Sequence, residues 1–281
     1  FAFTPGQFIT VKKDINGADV RRSYSICSTL RSGELKVAVK KIQGGVFSTF
    51  AVNELKEGDT IELAAPSGKF TVDCKSNNAK NYVFIAAGSG ITPVLSMVKT
   101  ILSEEPLSKV KLIYGNKSTS ETIFYNELKE LEKKYQNNFS LQLFFSQETG
   151  VDINNVGRID SEKVKKSLDG FSLLSEIAGV YLCGPQAMVM EVSENLKLAE
   201  SSLSGRIHYE LFTSTAAVNK APEQTDFTEE TVTALVDGVD YTFVVKAGKN
   251  ILAAALAAGV DLPYSCQGGV CGSCECNVTE G

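Results

Sequence analysis

The spacing of apolar residues changes character twice along this chain, and each change marks a different kind of fold. From the N-terminus to residue 63, apolar positions come in short alternating or β-branched runs, at 7–11, 22–28, 35–42 and 60–63. Clusters of Gly, Asn and Asp separate them at regular intervals, the pattern of a small antiparallel β-barrel. Residues 45–55 break the alternation and read as one short helix between strands. The first change comes near Asn81. Tyr82-Val83-Phe84-Ile85-Ala86-Ala87 is a continuous apolar run, as expected of a strand buried on both faces. A helix at 93–103 follows, then strand 110–114, helix 122–135, strand 141–145, helix 161–168, strand 179–183, helix 185–200 and a last strand at 207–212. Strand alternating with helix implies an α/β unit with a parallel sheet and helices on both faces.

The second change is at 213–230, a polar stretch of Ser, Thr, Asn, Pro and Glu with little periodicity that reads as a linker. Beyond it, strands at 231–236 and 241–246 flank Asp237-Gly238, a hairpin turn signal, and a helix at 250–258 precedes a glycine- and cysteine-rich loop. The pattern divides the chain into a β-barrel domain at 1–78, an α/β domain at 79–212, the linker at 213–230 and a compact C-terminal domain at 231–281.

Composition narrows the function classes. A net charge of −5 argues against nucleic acid as a partner, because binding phosphate backbones needs a basic face. No apolar run approaches the ~18 residues needed to span a bilayer. Seven cysteines, an odd number clustered toward the C-terminus, suit metal ligation in a reducing compartment, and so the cytoplasm, better than a disulfide framework. Phe1 is not an initiator Met and the first eleven residues read as mid-domain, so the sequence is expected to be cut short at its start.

Cys266, Cys271 and Cys274 carry the sharpest chemical signal. Their C-x4-C-x2-C spacing is that of the first three ligands of a plant-type [2Fe–2S] cluster. Such an array needs a tight loop with backbone N–H groups turned toward the inorganic sulfurs, and Gly268, Gly269 and Gly272 allow one. Zinc is the competing reading, although zinc sites usually pair two short Cys or His clips and the one histidine, His208, lies far upstream. Cys276 sits too close to Cys274 to close the far side of a cluster, so the fourth ligand is expected beyond Gly281.

Four further motifs suggest binding of phosphates and flat rings. Arg22-Ser23-Tyr24-Ser25 combines a guanidinium that can clamp a pyrophosphate with a ring that can stack; alone, it reads equally as an exposed strand. Gly44-Gly45-Val46-Phe47-Ser48 leads into a helix start, whose N–H groups favour an anion, or is a plain loop with Ser48 as cap. Gly88-Ser89-Gly90-Ile91-Thr92-Pro93 joins the buried strand to a helix, with Thr92 as a candidate cap and Pro93 in the first turn. It lacks the third glycine of the usual dinucleotide fingerprint. Cys183-Gly184-Pro185 ends another strand, and ligands of open parallel sheets bind at strand carboxyl ends, so Cys183 is expected to project into the same crevice as Gly88 and Thr92. Cys27 and Cys74 read as core.

Together, in this order and over nearly the whole chain, these motifs resemble the ferredoxin–NADP⁺ reductase superfamily, and within it the reductase subunits of bacterial multicomponent oxygenases. Tyr114-Gly115-Asn116, Gly157-Arg158-Ile159-Asp160 and Tyr209-Glu210-Leu211-Phe212 carry the narrower likeness. The resemblance implies an FAD-binding barrel, an NAD(P)-binding α/β domain and a C-terminal ferredoxin-like β-grasp domain. It implies that Arg22, Ser23, Tyr24 and Ser25 hold FAD, that Gly45, Val46, Phe47 and Ser48 complete its diphosphate site, and that Val39 and Lys40, on an intervening strand, touch it. It assigns Gly88, Gly90, Thr92, Gly184 and Pro185 to the nicotinamide nucleotide, and places Cys183, Glu210 and Phe212 near its reactive ring. Cys266, Cys271 and Cys274 become cluster ligands.

The loop after the second α/β strand carries Asn116, Lys117 and Ser118 and no acid to bind a ribose 2′-hydroxyl, which leans toward NADPH over NADH. The implied activity is electron transfer from NAD(P)H through FAD and the [2Fe–2S] cluster to an oxygenase component or another protein acceptor. A diaphorase or the electron-transfer subunit of a non-oxygenase enzyme is the alternative, and a non-catalytic scaffold is disfavoured by the intact motifs.

Overall fold

The structure, a computed structural model, describes residues 2–150, 152, 155–212, 228–236, 238–260, 262, 264 and 274–280. It divides into two compact units, Phe1–Phe212 and Thr213–Gly281.

The first unit opens with an antiparallel hairpin. Strands β1 (Phe8–Ile15) and β2 (Ala18–Ser25) meet at Asn16 and Gly17, both at positive φ (56° and 80°). That is the backbone a two-residue turn needs to match the twist of its strands. The short strand β3 (Glu62–Leu63) pairs with the other edge of β1, giving the order β2-β1-β3. Ile9, Val11, Val20 and Ile26 are buried under helix α1 (Val46–Asn53), which contributes Phe47. The strand expected at 35–42 is not formed; only Val37 bridges, to Ile26. The Ser28 hydroxyl takes the Lys36 N–H (3.1 Å), so a side chain replaces the next rung of a ladder.

The second half of this unit is a five-stranded parallel sheet of order β6-β5-β4-β7-β8, built from β4 (Asn81–Ala87), β5 (Lys109–Asn116), β6 (Phe139–Phe145), β7 (Ile177–Gly184) and β8 (Ile207–Leu211). Along β4, Tyr82, Phe84 and Ala86 face helices α2 (Ile91–Glu104) and α3 (Tyr125–Lys134). Val83 and Ile85 face α4 (Ser161–Leu168) and α5 (Gln186–Ala199). Burial on both faces is what makes β4 read as an unbroken apolar run. Asp160 caps α4, its carboxylate accepting the Lys163 N–H (2.8 Å).

The antiparallel and parallel parts are tied across α2. The buried Ser96 hydroxyl donates to the Ser28 carbonyl (2.7 Å), Arg31 pairs with Glu104, and the Phe70 ring meets Tyr181 edge-on at 5.9 Å.

In the second unit, β9 (Glu229–Val236) and β10 (Val239–Lys246) form an antiparallel hairpin against α6 (Ile251–Ala257). Phe243, Val245, Ala255 and Val260 form its core, and Asn250 caps α6 through Ala253 N (2.7 Å). Among the described residues no helix is long and apolar enough to cross a membrane.

Candidate functional site

The parallel sheet delivers one set of predicted residues to the carboxyl ends of its strands. β4 runs straight into a one-turn 3-10 helix, Gly88–Gly90, and then into α2. Gly88 is left-handed (φ 55°) and nothing lies within 4 Å of where its Cβ would be, so a ligand can approach the backbone there. Gly90 is the opposite case. A Cβ on it would lie 2.1 Å from the Cys183 carbonyl oxygen, so its smallness lets the β4 turn pack on the end of β7. Gly184 is crowded too, by Met188 Cε (2.9 Å) and Ala87 Cβ (3.1 Å). Thr92 is not the cap expected of it. α2 begins at Ile91 with Gly90 as its cap residue, because the 3-10 turn winds directly into the helix. The Thr92 hydroxyl instead donates back to the Ser89 carbonyl (3.0 Å) and fastens the turn. Pro185 occupies the corresponding place before α5 and is exposed.

Tyr114 was missed by sequence reasoning. Its ring is fully buried and its hydroxyl donates to the Gly88 carbonyl (2.9 Å), bracing the turn from β5. The available signal was a phenol inside an otherwise aliphatic strand, since a buried Tyr hydroxyl needs a partner. Burial pushes its pKa up, so it stays a neutral donor.

Cys183 departs from expectation. Its side chain is fully buried and belongs to the core on the α2 face, with Tyr181, rather than projecting into an open crevice. Alternation along β7 decides this, because Val180 and Leu182 take the other face. Burial, with the neighbouring Glu210 carboxyl adding to it, pushes the thiol well above its ordinary pKa and holds it neutral. Glu210 is the register partner of Cys183 on β8. Its Oε2 is buried without a hydrogen-bond partner among the described residues, and burial raises its pKa to about 7. Phe212 follows β8 and is 39% exposed.

On the other side of β4, Asn116 ends β5, and its Nδ2 is also buried without a hydrogen-bond partner among the described residues. Lys117 Nζ lies 3.7 Å from Glu121 Oε2, and the Ser118 and Ser120 hydroxyls share a bond (3.0 Å). The expectation that no acid stands at this loop is corrected by the fold. Glu148, 29 residues on, accepts from Thr119 N (2.6 Å) and Thr119 Oγ1 (2.7 Å) through one carboxylate oxygen.

The antiparallel half carries the second set. On β2, Arg21 is engaged by Asp19 (3.0 Å), whereas Arg22 is exposed and pairs with no carboxylate among the described residues. Its Nη1 donates to the Arg21 carbonyl (2.6 Å). Tyr24 is half-buried against Phe47, ring centroids 5.6 Å apart. Ser23 shares a hydrogen bond with Thr10 (3.1 Å), and Ser25 is buried. Gly44 is left-handed (φ 73°) with open space at its missing Cβ, and Gly45 caps α1. Two corrections apply here. The Phe47 ring is core, so only its backbone faces the turn. The Ser48 hydroxyl is buried and accepts the Ile42 N–H (3.2 Å), so it holds the loop rather than capping the helix. Val46, the first residue of α1, is exposed; Lys40 is exposed and Val39 half-buried, on an irregular segment rather than a strand. Three residues beyond Ser25, the Ser28 carbonyl accepts from the Ser96 hydroxyl, one helical turn past Thr92.

The donors fit the groups the sequence suggested. An exposed guanidinium with no carboxylate partner among the described residues, on the strand whose Tyr24 packs against Phe47 of α1, suits a flavin diphosphate. Two orphaned buried polar atoms, flanking a glycine turn at the sheet's carboxyl edge, suit a nucleotide laid across it. Cys266 and Cys271 lie outside the described residues; Cys274 is described and half-buried.

This fold and these sites define an oxidoreductase that takes a flavin and a nicotinamide nucleotide. The pattern of oxidoreductase FAD-binding domains matches residues 1–72, that of oxidoreductase NAD-binding domains 84–194, and that of 2Fe-2S iron-sulfur cluster binding domains 234–281. The chain is 40% identical over 285 residues to a component of 1,2-phenylacetyl-CoA epoxidase from Escherichia coli K12, covering 100% of this chain and 79% of that protein. It is 30% identical to the ferredoxin reductase component of 3-ketosteroid-9-alpha-monooxygenase from Rhodococcus rhodochrous, covering 100% and 78%. Among solved structures, Amycolatopsis cytochrome P450 reductase GcoB superposes with a TM-score of 0.65 at 25% identity, covering 76% of this chain and 62% of that one. The chain belongs to the ferredoxin–NADP⁺ reductase-type oxygenase reductases, NAD(P)H oxidoreductases carrying FAD and a [2Fe–2S] cluster.

Proposed function

We propose that this chain is the reductase component of a multicomponent oxygenase, drawing electrons from NAD(P)H and delivering them singly to an oxygenase partner of the phenylacetyl-CoA epoxidase kind. One observation carries the reading: likeness to a component of that epoxidase spans all three domains at 40% identity. When bound, the flavin supplies the conversion of a hydride's electron pair into single electrons, which a one-electron cluster can accept.

The chain's own residues bind and orient. Arg22 holds the flavin diphosphate, with the backbone of Gly45, Val46, Phe47 and Ser48 closing on it; Tyr24 lies against the ring system, with Ser23, Ser25, Val39 and Lys40 alongside. Gly88, Gly90 and Thr92 form the diphosphate turn for the nicotinamide nucleotide, Asn116, Lys117 and Ser118 take its adenosine half, and Gly184 and Pro185 line its other end. Cys183, neutral and buried, shapes the floor beneath the reacting ring. Glu210 holds or releases a proton at Oε2 near neutral pH, where its raised pKa of about 7 allows both states. Phe212 excludes water at the rim. Cys266, Cys271 and Cys274 ligate iron, which suits a reducing cytoplasm.

Anaerobic mixing of holoprotein with NADPH or NADH, followed at flavin and cluster wavelengths, tests the reading. Both chromophores are expected to bleach, and the reduced protein is expected to support turnover by an epoxidase component. Bleaching of both without oxygenase turnover would leave a diaphorase-type reductase and overturn the proposed partner.

A further inference from the structure

We infer that Tyr114 is a positioning residue for nucleotide binding, its phenol holding the peptide between Gly88 and Ser89 so that the Ser89 amide faces the diphosphate. The inference rests on the placement of the nicotinamide nucleotide at this turn proposed above. Tyr114 lies on β5 with Ala86 of β4 as its register partner, and both belong to the core on the α2 face. The phenol reaches past Ala86 to the Gly88 carbonyl (2.9 Å), two residues further along the chain. A carbonyl only accepts, so the hydroxyl is the donor. The ring is fully buried, and the close-packed core around it fixes where that hydroxyl points.

Peptide planarity carries the effect across the turn. In a trans unit the C=O and the N–H that follows it point in opposite directions. The Gly88 carbonyl is turned toward the Tyr114 hydroxyl and the Ile91 amide, so the Ser89 N–H is turned away from both. Gly88 is the residue that would let this unit swing. Its backbone is left-handed (φ 55°), and nothing lies within 4 Å of its missing Cβ to hold it. The next peptide is held from within the turn, its Ser89 carbonyl accepting from the Thr92 hydroxyl (3.0 Å). Tyr114 is the tie that comes from another strand. A donor fixed in advance costs a ligand no reorganisation, and fixed N–H groups at a helix entry suit a phosphate group. Asn116, two residues beyond Tyr114, marks the same edge independently as a ligand contact, because its buried Nδ2 has no hydrogen-bond partner among the described residues.

Calorimetric titration of holoprotein with 5′-ADP, and with adenosine through its displacement of 5′-ADP, separates a diphosphate contact from general packing. Tyr114→Phe keeps the ring and removes the hydroxyl. It is expected to weaken 5′-ADP about fivefold, the scale of one net hydrogen bond, and adenosine by less than about twofold. Wild-type holoprotein supplies a second measurement that does not depend on the variant folding. Hydrogen exchange read by mass spectrometry should show residues 88–92 protected by 5′-ADP and left unprotected by adenosine. An unmoved 5′-ADP affinity in Tyr114→Phe, equal weakening of both ligands, or a turn that bound 5′-ADP does not protect would overturn the inference. Failure of wild-type protein to bind 5′-ADP would instead overturn the placement of the nucleotide.

Discussion

Two glycine turns of this protein look alike in sequence and are built for different reasons. The turn before α1 and the turn before α2 each hold a left-handed glycine, Gly44 and Gly88, with open space where a side chain would stand. Each is followed by a second, crowded glycine. At Gly45 the nearest atom to an added Cβ is the Ser48 hydroxyl at 2.5 Å, a side chain that can rotate. At Gly90 it is the Cys183 carbonyl at 2.1 Å, part of the backbone of a central strand. The first turn is local and closed by its own helix; the second is clamped between two strands of a buried sheet. A glycine motif in sequence thus marks a place of close approach without saying whether ligand or protein does the approaching.

The sharpest way to break this contrast is Gly90→Ala. The methyl group meets backbone on β7 that cannot move without disturbing the sheet, so a loss of about 1–3 kcal/mol in stability is expected, together with at least tenfold weaker nucleotide binding. Denaturant unfolding and nucleotide titration would check both, and wild-type values would show that the β4 turn is free to shift.

Glu210, register partner of the Cys183 that crowds Gly90, gives a second effect, dependent on pH. Its carboxyl ionises at about 7 in the fold against 4.5 ordinarily. Between those values the unfolded chain has released a proton that the folded chain retains. Stability is therefore fully present below about 4.5 and lost as pH rises through 7. A thermal unfolding series on holoprotein from pH 5 to 8 should show Tm falling across the window, with the fall flattened in Glu210→Gln. Equal slopes in the two proteins would mean that bound cofactor relieves the burial.

The smallest effect is expected from Gly45→Ala. The Ser48 hydroxyl must turn away from the Ile42 amide, costing about 1 kcal/mol for one hydrogen bond. Flavin retention on gel filtration should fall only slightly. In a Ser48→Ala background the added methyl should cost less than in wild type. Additivity in that double-mutant cycle would remove Ser48 as the cause.

The alternating and continuous apolar runs were enough to identify the parallel sheet and nearly all its helices, because burial on two faces leaves an unbroken hydrophobic signature in β4. They were also enough to place Gly88 and Cys183 at strand ends, whereas Glu210 was singled out only by the family resemblance. The 35–42 segment misled, since its apolar residues suit a strand while the Ser28 hydroxyl takes the amide a ladder would have used. The Asn16-Gly17 turn was legible by its residue types and passed unread.

By itself the sequence determined which chemistry this chain carries: thiolates at cluster spacing, a guanidinium beside hydroxyls, and glycines at strand-to-helix turns are local facts, settled by residue type and separation along the chain. Tertiary structure alone decided which neighbours those groups meet. Glu148 reaches the β5 loop, Tyr114 braces Gly88 and the Cys183 thiol is sealed in the core because parallel pairing brings together residues tens of positions apart, and no periodicity along one strand encodes the register of the next.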